Sequence, residues 1–211
     1  MNSMTFEIAA TAARLVVEEG LEYGAAKRRA VKQLGLAGRS ALPANDAVEA
    51  EVIDYITLFC AETQPAELFG LRQLALHWMQ RMAAFRPHLS GAVWRGTATR
   101  LSDIYIQLFC DDSKSAEIAL IDYRVKYVPR SITGFNGETV DALSIHSFCE
   151  GLQEVVGVHL MVYDHDDLRG ALKPDTTGRA SRGDLAAVQL LLLDGTQHDD
   201  TNKNTNGDKP T

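Results

Sequence analysis

The residues best suited to chemistry lie in one segment, Val93 to Cys110, which reads VWRGTATRLSDIYIQLFC. Gly96 and Thr97 form a pair at which backbone N–H groups can approach an anion closely, and Asp103 follows at the mouth of a strand-like stretch. Residues of these types are what phosphoryl chemistry needs, because it rests on positioning and on charge neutralisation by metal. Arg95 and Arg100 flank the pair and offer the forked donors that phosphate accepts. Arg169, Arg179 and Arg182 are further candidates to converge on an anion, or are ordinary surface arginines. The run Tyr163 to Arg169, YDHDDLR, reads as a solvated turn that caps the next helix, with a divalent-ion site as the alternative. His77 and His88 read as partly buried hydrogen-bonding residues. No HExxH and no paired His and Cys occur at zinc spacing, and GxSxG, GxGxxG and GxxxxGK[ST] are absent. Gly96 and Thr97 are therefore the candidate phosphate contact.

A Gly-Thr pair, a short loop and then a strand that opens on Asp resembles the signature of the nucleotidyltransferase superfamily, with its polymerase-β-like fold. The resemblance covers about 86–193. It implies that Gly96 and Thr97 contact a triphosphate and that Asp103 is the first of two metal aspartates. Tyr105 holds the place of the second, two residues on and on the same strand face, and a neutral phenol is a poor magnesium ligand. The third carboxylate belongs on the strand GVHLMVYD, where His159, or His146 from the preceding strand, stands instead. Asp111 shares the side of Asp103, but roughly 27 Å of strand separates them, too far for one metal. The resemblance implies a protein that binds a nucleoside triphosphate with Mg2+ and transfers a nucleotidyl group to an acceptor. Tyr105 opens the alternative of a catalytically inactive domain of the same fold that serves as a protein-interaction or regulatory module with an unknown partner. An ordinary strand-loop-strand connection in an unrelated fold remains the plain reading of the same residues.

Elements of two textures must position this segment. Ile8, Ala9, Ala12, Leu15 and Val16 recur at helical spacing and Gly20 can close that helix; a basic helix runs from about Tyr23 to Leu34 and ends at Gly35. Asn45 is the expected N-cap of a third helix through Phe59. A fourth, with Pro65 in its first turn, carries Leu68, Leu71, Leu74, Ala75, Trp78, Met79 and Met82 to about Phe85 as a packing stripe. Beyond Pro87 a strand is expected to run into Gly96, and a second over Leu101 to Cys110 alternates Ile104, Ile106 and Leu108 with Tyr105, Gln107 and Phe109. A helix over Ser113 to Asp122 follows, capped by Asp112 or Ser113. Strands near Val125 to Ile132, Ala142 to Cys149 and Val155 to Tyr163 come next, with a turn at Gly134, Asn136 and Gly137, and a helix over Gly183 to Leu193 closes the order. The fold class is α+β: an N-terminal helical region (1–85), a nucleotidyltransferase-like domain with a small mixed sheet (86–196) and a disordered tail (197–211).

The bulk numbers narrow the function classes. A chain of 211 residues with net charge −7 carries no global field for nucleic acid, although Lys27, Arg28, Arg29, Lys32 and Arg39 make a local basic cluster. The opening helices resemble those of helix-turn-helix regulators, but AGRSALPAND offers no recognition helix, so specific DNA binding is not expected. Cys60, Cys110 and Cys149 form no disulfide framework and sit in apolar runs as reduced thiols. No apolar stretch reaches the roughly 20 residues of a membrane helix and no signal peptide is evident, so a soluble cytoplasmic protein without a membrane partner is expected.

Overall fold

The computed structural model describes residues 3–36, 40–135, 137–174 and 178–203, with side chains through Asp194. Among them are eight α-helices and one six-stranded mixed sheet. The chain divides into two compact units, Met1–Leu68 with Gly96–Ser102, and Phe69–Arg95 with Asp103–Thr211. The border falls inside the fourth helix, and so does not coincide with the one expected after 85.

In the first unit α1 (Ser3–Glu19), α2 (Tyr23–Gln33) and α3 (Asn45–Phe59) share one core of Ile8, Ala12, Leu15, Ala26, Ala30, Val48, Val52 and Ile56. The alanines of α1 and α2 remove side-chain bulk where the helices meet, and each fully buried Leu or Ile contributes about 2 kcal/mol. Gly20 (φ 68°) and Gly35 (φ 65°) end α1 and α2 in the left-handed region, as their positions predict. Asn45 does not act as the cap of α3. Ala44 holds that position, and the Asn45 side chain instead accepts a bond of 2.8 Å from Lys27 Nζ. Helix α4 (Gln64–Arg81) ends earlier than expected, and a 3-10 turn over Ala83–Phe85 completes the stretch.

In the second unit the sheet is built from β1 (His88–Ser90), β2 (Ile104–Cys110), β3 (Val128–Thr133), β4 (Thr139–Cys149), β5 (Glu154–Asp164) and β6 (Arg182–Gly183), in the order β3-β4-β5-β2-β1-β6. Only β2 and β5 pair in parallel. Their register sets Ile104, Ile106 and Leu108 beside Val158, Leu160 and Val162, with Leu143 and Ile145 from β4 in the same layer. This apolar face carries α4, whose Trp78 Nε1 donates to Ser147 Oγ at 3.0 Å; Trp78, Met79 and Met82 are buried, as their stripe implies. The other face alternates to Tyr105, Gln107, His159 and Ser144.

The strand expected to run into Gly96 is instead α5 (Gly91–Arg95), a single helical turn after the short β1. Gly91 (φ 70°) turns the chain out of β1, and Arg72 of α4 donates to the Val93 carbonyl at 3.2 Å, a tertiary tie that local alternation cannot reveal. Helix α6 (Ser113–Asp122) has the expected bounds, and Asp112 caps it by accepting from Lys114 N–H at 3.0 Å. The YDHDDLR run divides: Tyr163 and Asp164 end β5, His165 and Asp166 form a turn in which Asp164 accepts from Asp166 N–H at 2.8 Å, and the short α7 (Asp167–Ala171) begins without the expected side-chain cap. Of the turn glycines between β3 and β4, Gly137 has φ 83°, while Asn136 lies outside the described residues. Helix α8 (Leu185–Lys203) continues past Leu193 and overlaps the stretch read as a tail, whose end, 204–211, also lies outside the described residues. Among the described residues no helix is long and apolar enough to cross a membrane. All three cysteines are free; Cys149 is buried, whereas Cys60 and Cys110 are only partly so.

Gly70 of α4 and Gly151 of the β4–β5 turn meet backbone to backbone: a Cβ on Gly151 would lie 2.7 Å from Gly70 Cα. Gly151→Ala should cost about 1–3 kcal/mol, because neither backbone can step aside. Urea denaturation read by circular dichroism should show this loss, and Gly170→Ala, which has open space around it, should leave the midpoint unchanged.

Candidate functional site

The structure brings Asp103, Tyr105, His159 and Ser144 together at the open part of the polar sheet face. Tyr105 pairs with His159 across β2 and β5, and His159 with Ser144 across β5 and β4, so three neighbouring strands present them in one row. Asp103 precedes β2 and reaches over Gly157, accepting the Gly157 N–H at 3.2 Å through Oδ1 and bonding His159 Nε2 at 3.0 Å through Oδ2. His159 Nδ1 lies 2.9 Å from Ser144 Oγ, which is buried. The phenol ring of Tyr105 stacks on the imidazole, with centroids 4.9 Å apart and planes 28° from parallel.

The neighbours of Asp103 make room for it and set its charge. A side chain at 157 would collide with the carboxylate, since a Cβ there would lie 2.5 Å from Asp103 Oδ1; glycine leaves the room Asp103 occupies. The hydrogen bond from His159 holds the Asp103 carboxyl below its ordinary range against the opposing effect of burial, with further help from the charges of His159 and His146 and the Gly157 N–H. Asp103 is thus kept as an anion, an acceptor only, and His159 Nε2 is the donor. On the neutral ring Nδ1 then accepts, and the Ser144 hydroxyl donates to it.

The residues proposed from sequence divide between the units. Gly96, Thr97 and Arg100 belong to the first, Arg95 and Asp103 to the second. Within the first unit the loop is held firmly: Gln64 Nε2 donates to the carbonyls of Gly96 at 3.0 Å and Ala98 at 2.8 Å, and Glu67 accepts the Arg100 N–H at 2.9 Å. Gly96 has φ 86°, as a close backbone turn requires. Thr97 is buried, and its hydroxyl has no hydrogen-bond partner among the described residues. In the second unit Arg182 donates to Gln107 Oε1, and its guanidinium lies 4.4 Å from the Phe135 ring centroid. His88 is buried and bonded to the Arg86 carbonyl, as a structural histidine should be, whereas His77 is exposed.

Asp103 alone is a hard carboxylate; the phenol of Tyr105 and the imidazole of His159 do not suit Mg2+. Among the described residues no three His, Cys, Asp or Glu side chains converge as a metal site. These residues do not fit a protein-held magnesium. What the site offers is one half-exposed carboxylate, Asp103. Ser144 is the member of the row that sequence reasoning missed, since a serine inside a β-strand carries no signal until its cross-strand partner is known.

The folded Asp103 carboxyl titrates below its unfolded value of about 3.9. Its stabilising effect is therefore complete above that value and is lost as pH falls through the folded pKa. With the carboxylate half exposed, wild type should exceed Asp103→Asn by about 1 kcal/mol near neutral pH, and the gap should close in acid. Gly157→Ala, which pushes the carboxylate away, should show the same reduced gap in urea denaturation across that range.

No family model matches this chain, nor does any curated protein or solved structure.

Proposed function

We propose that this chain is a nucleotidyltransferase-like protein that binds a nucleoside triphosphate, as its magnesium complex, for transfer of the nucleotidyl group to an acceptor. The observation that carries this reading is the adjacency of Asp103, Tyr105 and His159 on two neighbouring parallel strands. Those are the positions to which the resemblance assigns three carboxylates. Asp103, a half-exposed carboxylate with lone pairs to spare that His159 and Gly157 orient, would face a magnesium carried on the triphosphate, which would neutralise phosphate charge. By the resemblance Gly96, Thr97 and Arg100 of the first unit are phosphate contacts; the φ of Gly96 and the Thr97 hydroxyl, unsatisfied among the described residues, support that role.

A second reading, a catalytically silent domain of the same fold that engages a protein partner, is favoured by the contacts of Asp103 and Tyr105. Both Asp103 oxygens are already engaged within the sheet, and the ring of Tyr105 lies against His159 where a second carboxylate would project.

Titration calorimetry with ATP, GTP, CTP and UTP, with and without magnesium, separates the two. The first reading expects binding that requires magnesium and disappears in Asp103→Ala, and Tyr105→Asp should tighten it by about tenfold, near 1.4 kcal/mol, by restoring a second hard ligand. Absence of binding to every nucleotide in wild type and in Tyr105→Asp would leave the silent domain.

A further inference from the structure

We propose that the exposed face of α2 binds the phosphodiester backbone of single-stranded nucleic acid. Ala25, Arg28, Arg29, Lys32 and Gln33 line an open groove along this helix. Positions 25, 28, 29 and 32 fall on one helical face by the spacing of three, four and seven, while Ala26, Ala30 and Val31 are buried on the other. Arg14 of α1 adds a cation at the rim, its Nη2 lying 3.4 Å from Gln33 Oε1.

The ion pairs of α1 and α2 leave two cations of this α2 face over. Arg14 is paired with Glu18 at 3.0 Å and Arg29 with Glu19 at 2.7 Å. Arg28 and Lys32 have no ion pair among the described residues, and both are exposed. They sit one turn apart, a like-charge spacing that weakens a helix. Folding does not explain that arrangement, whereas an anionic ligand does. Cations one turn apart lie about 6 Å apart along the axis, within reach of consecutive phosphates on one strand. The guanidinium of Arg28 matches a phosphate as a fork. A duplex is disfavoured, because the next helix, α3, brings Asp46, Glu51 and Asp54 rather than a basic recognition face. The inference stands apart from the nucleotide reading, since it rests on the helical unit alone.

Fluorescence anisotropy on the full chain, with labelled single-stranded RNA and DNA of about twenty nucleotides, tests it. Two or three phosphate contacts predict affinity falling by about tenfold from roughly 50 to 200 mM salt. Arg28→Glu with Lys32→Glu should weaken binding by at least about tenfold at low salt. Lys126→Glu with Arg130→Glu, which shifts net charge equally from exposed positions of the other unit, should change it by less than about twofold. Absence of binding at low salt, or equal losses in the two double variants, would overturn the proposal. RNA and DNA bound alike identify the phosphodiester as the ligand, and loss of binding with both nucleic acids in the α2 variant completes the case.

Discussion

The parallel register between β2 and β5 is the constraint on which the second unit depends. Setting Ile104 against Val158 aligns the aliphatic residues of both strands on the face that carries α4. A slip of one residue would turn Ile104, Ile106 and Leu108 out of that layer and send Tyr105 and Gln107 into it, so the apolar face enforces the register strongly. The same register brings Tyr105 opposite His159 and lets Asp103 reach Gly157. The polar row is therefore held in place by burial on the reverse side of the sheet, and its residues need not supply the stability that fixes their own positions.

That separation of tasks lets the open face hold groups that would be costly in a core. Ser144 and Gln107 are buried on it, and each has a side-chain partner. Asp103 lies where the strand begins and solvent still reaches it, so an anion can be kept with two donors rather than a full cage. The two units divide the chemistry of the chain along similar lines. Cations gather on a helix of the first, and the half-exposed carboxylate of Asp103 stands on the sheet of the second.

Much of this was legible in the sequence, where the period of the apolar residues is clean. Helices α1, α2 and α6 and strands β2, β4 and β5 follow from spacing, because one face of each is continuously apolar. The left-handed glycines that end α1 and α2 follow from their positions. What did not follow depends on partners far along the chain. The turn of α5 is tied by Arg72, and the Asn45 side chain is drawn away by Lys27. At the candidate site Asp103, Tyr105 and His159 could be named beforehand, whereas the roles of Gly157 and Ser144 required the register between strands.

The buried hydroxyl of Ser144 gives the row a direction. With a neutral imidazole, every proton points the same way, from Ser144 toward His159 and from His159 toward Asp103. A ring that gains a proton turns its Nδ1 from acceptor to donor, and the serine must then accept and release its own hydrogen to another neighbour. Because that serine is shut off from solvent, new water cannot simply take up the change. A charge acquired on the open face by His159 would thus be felt as a reorientation inside β4, linking the protonation of the surface to the hydrogen bonding of the sheet interior.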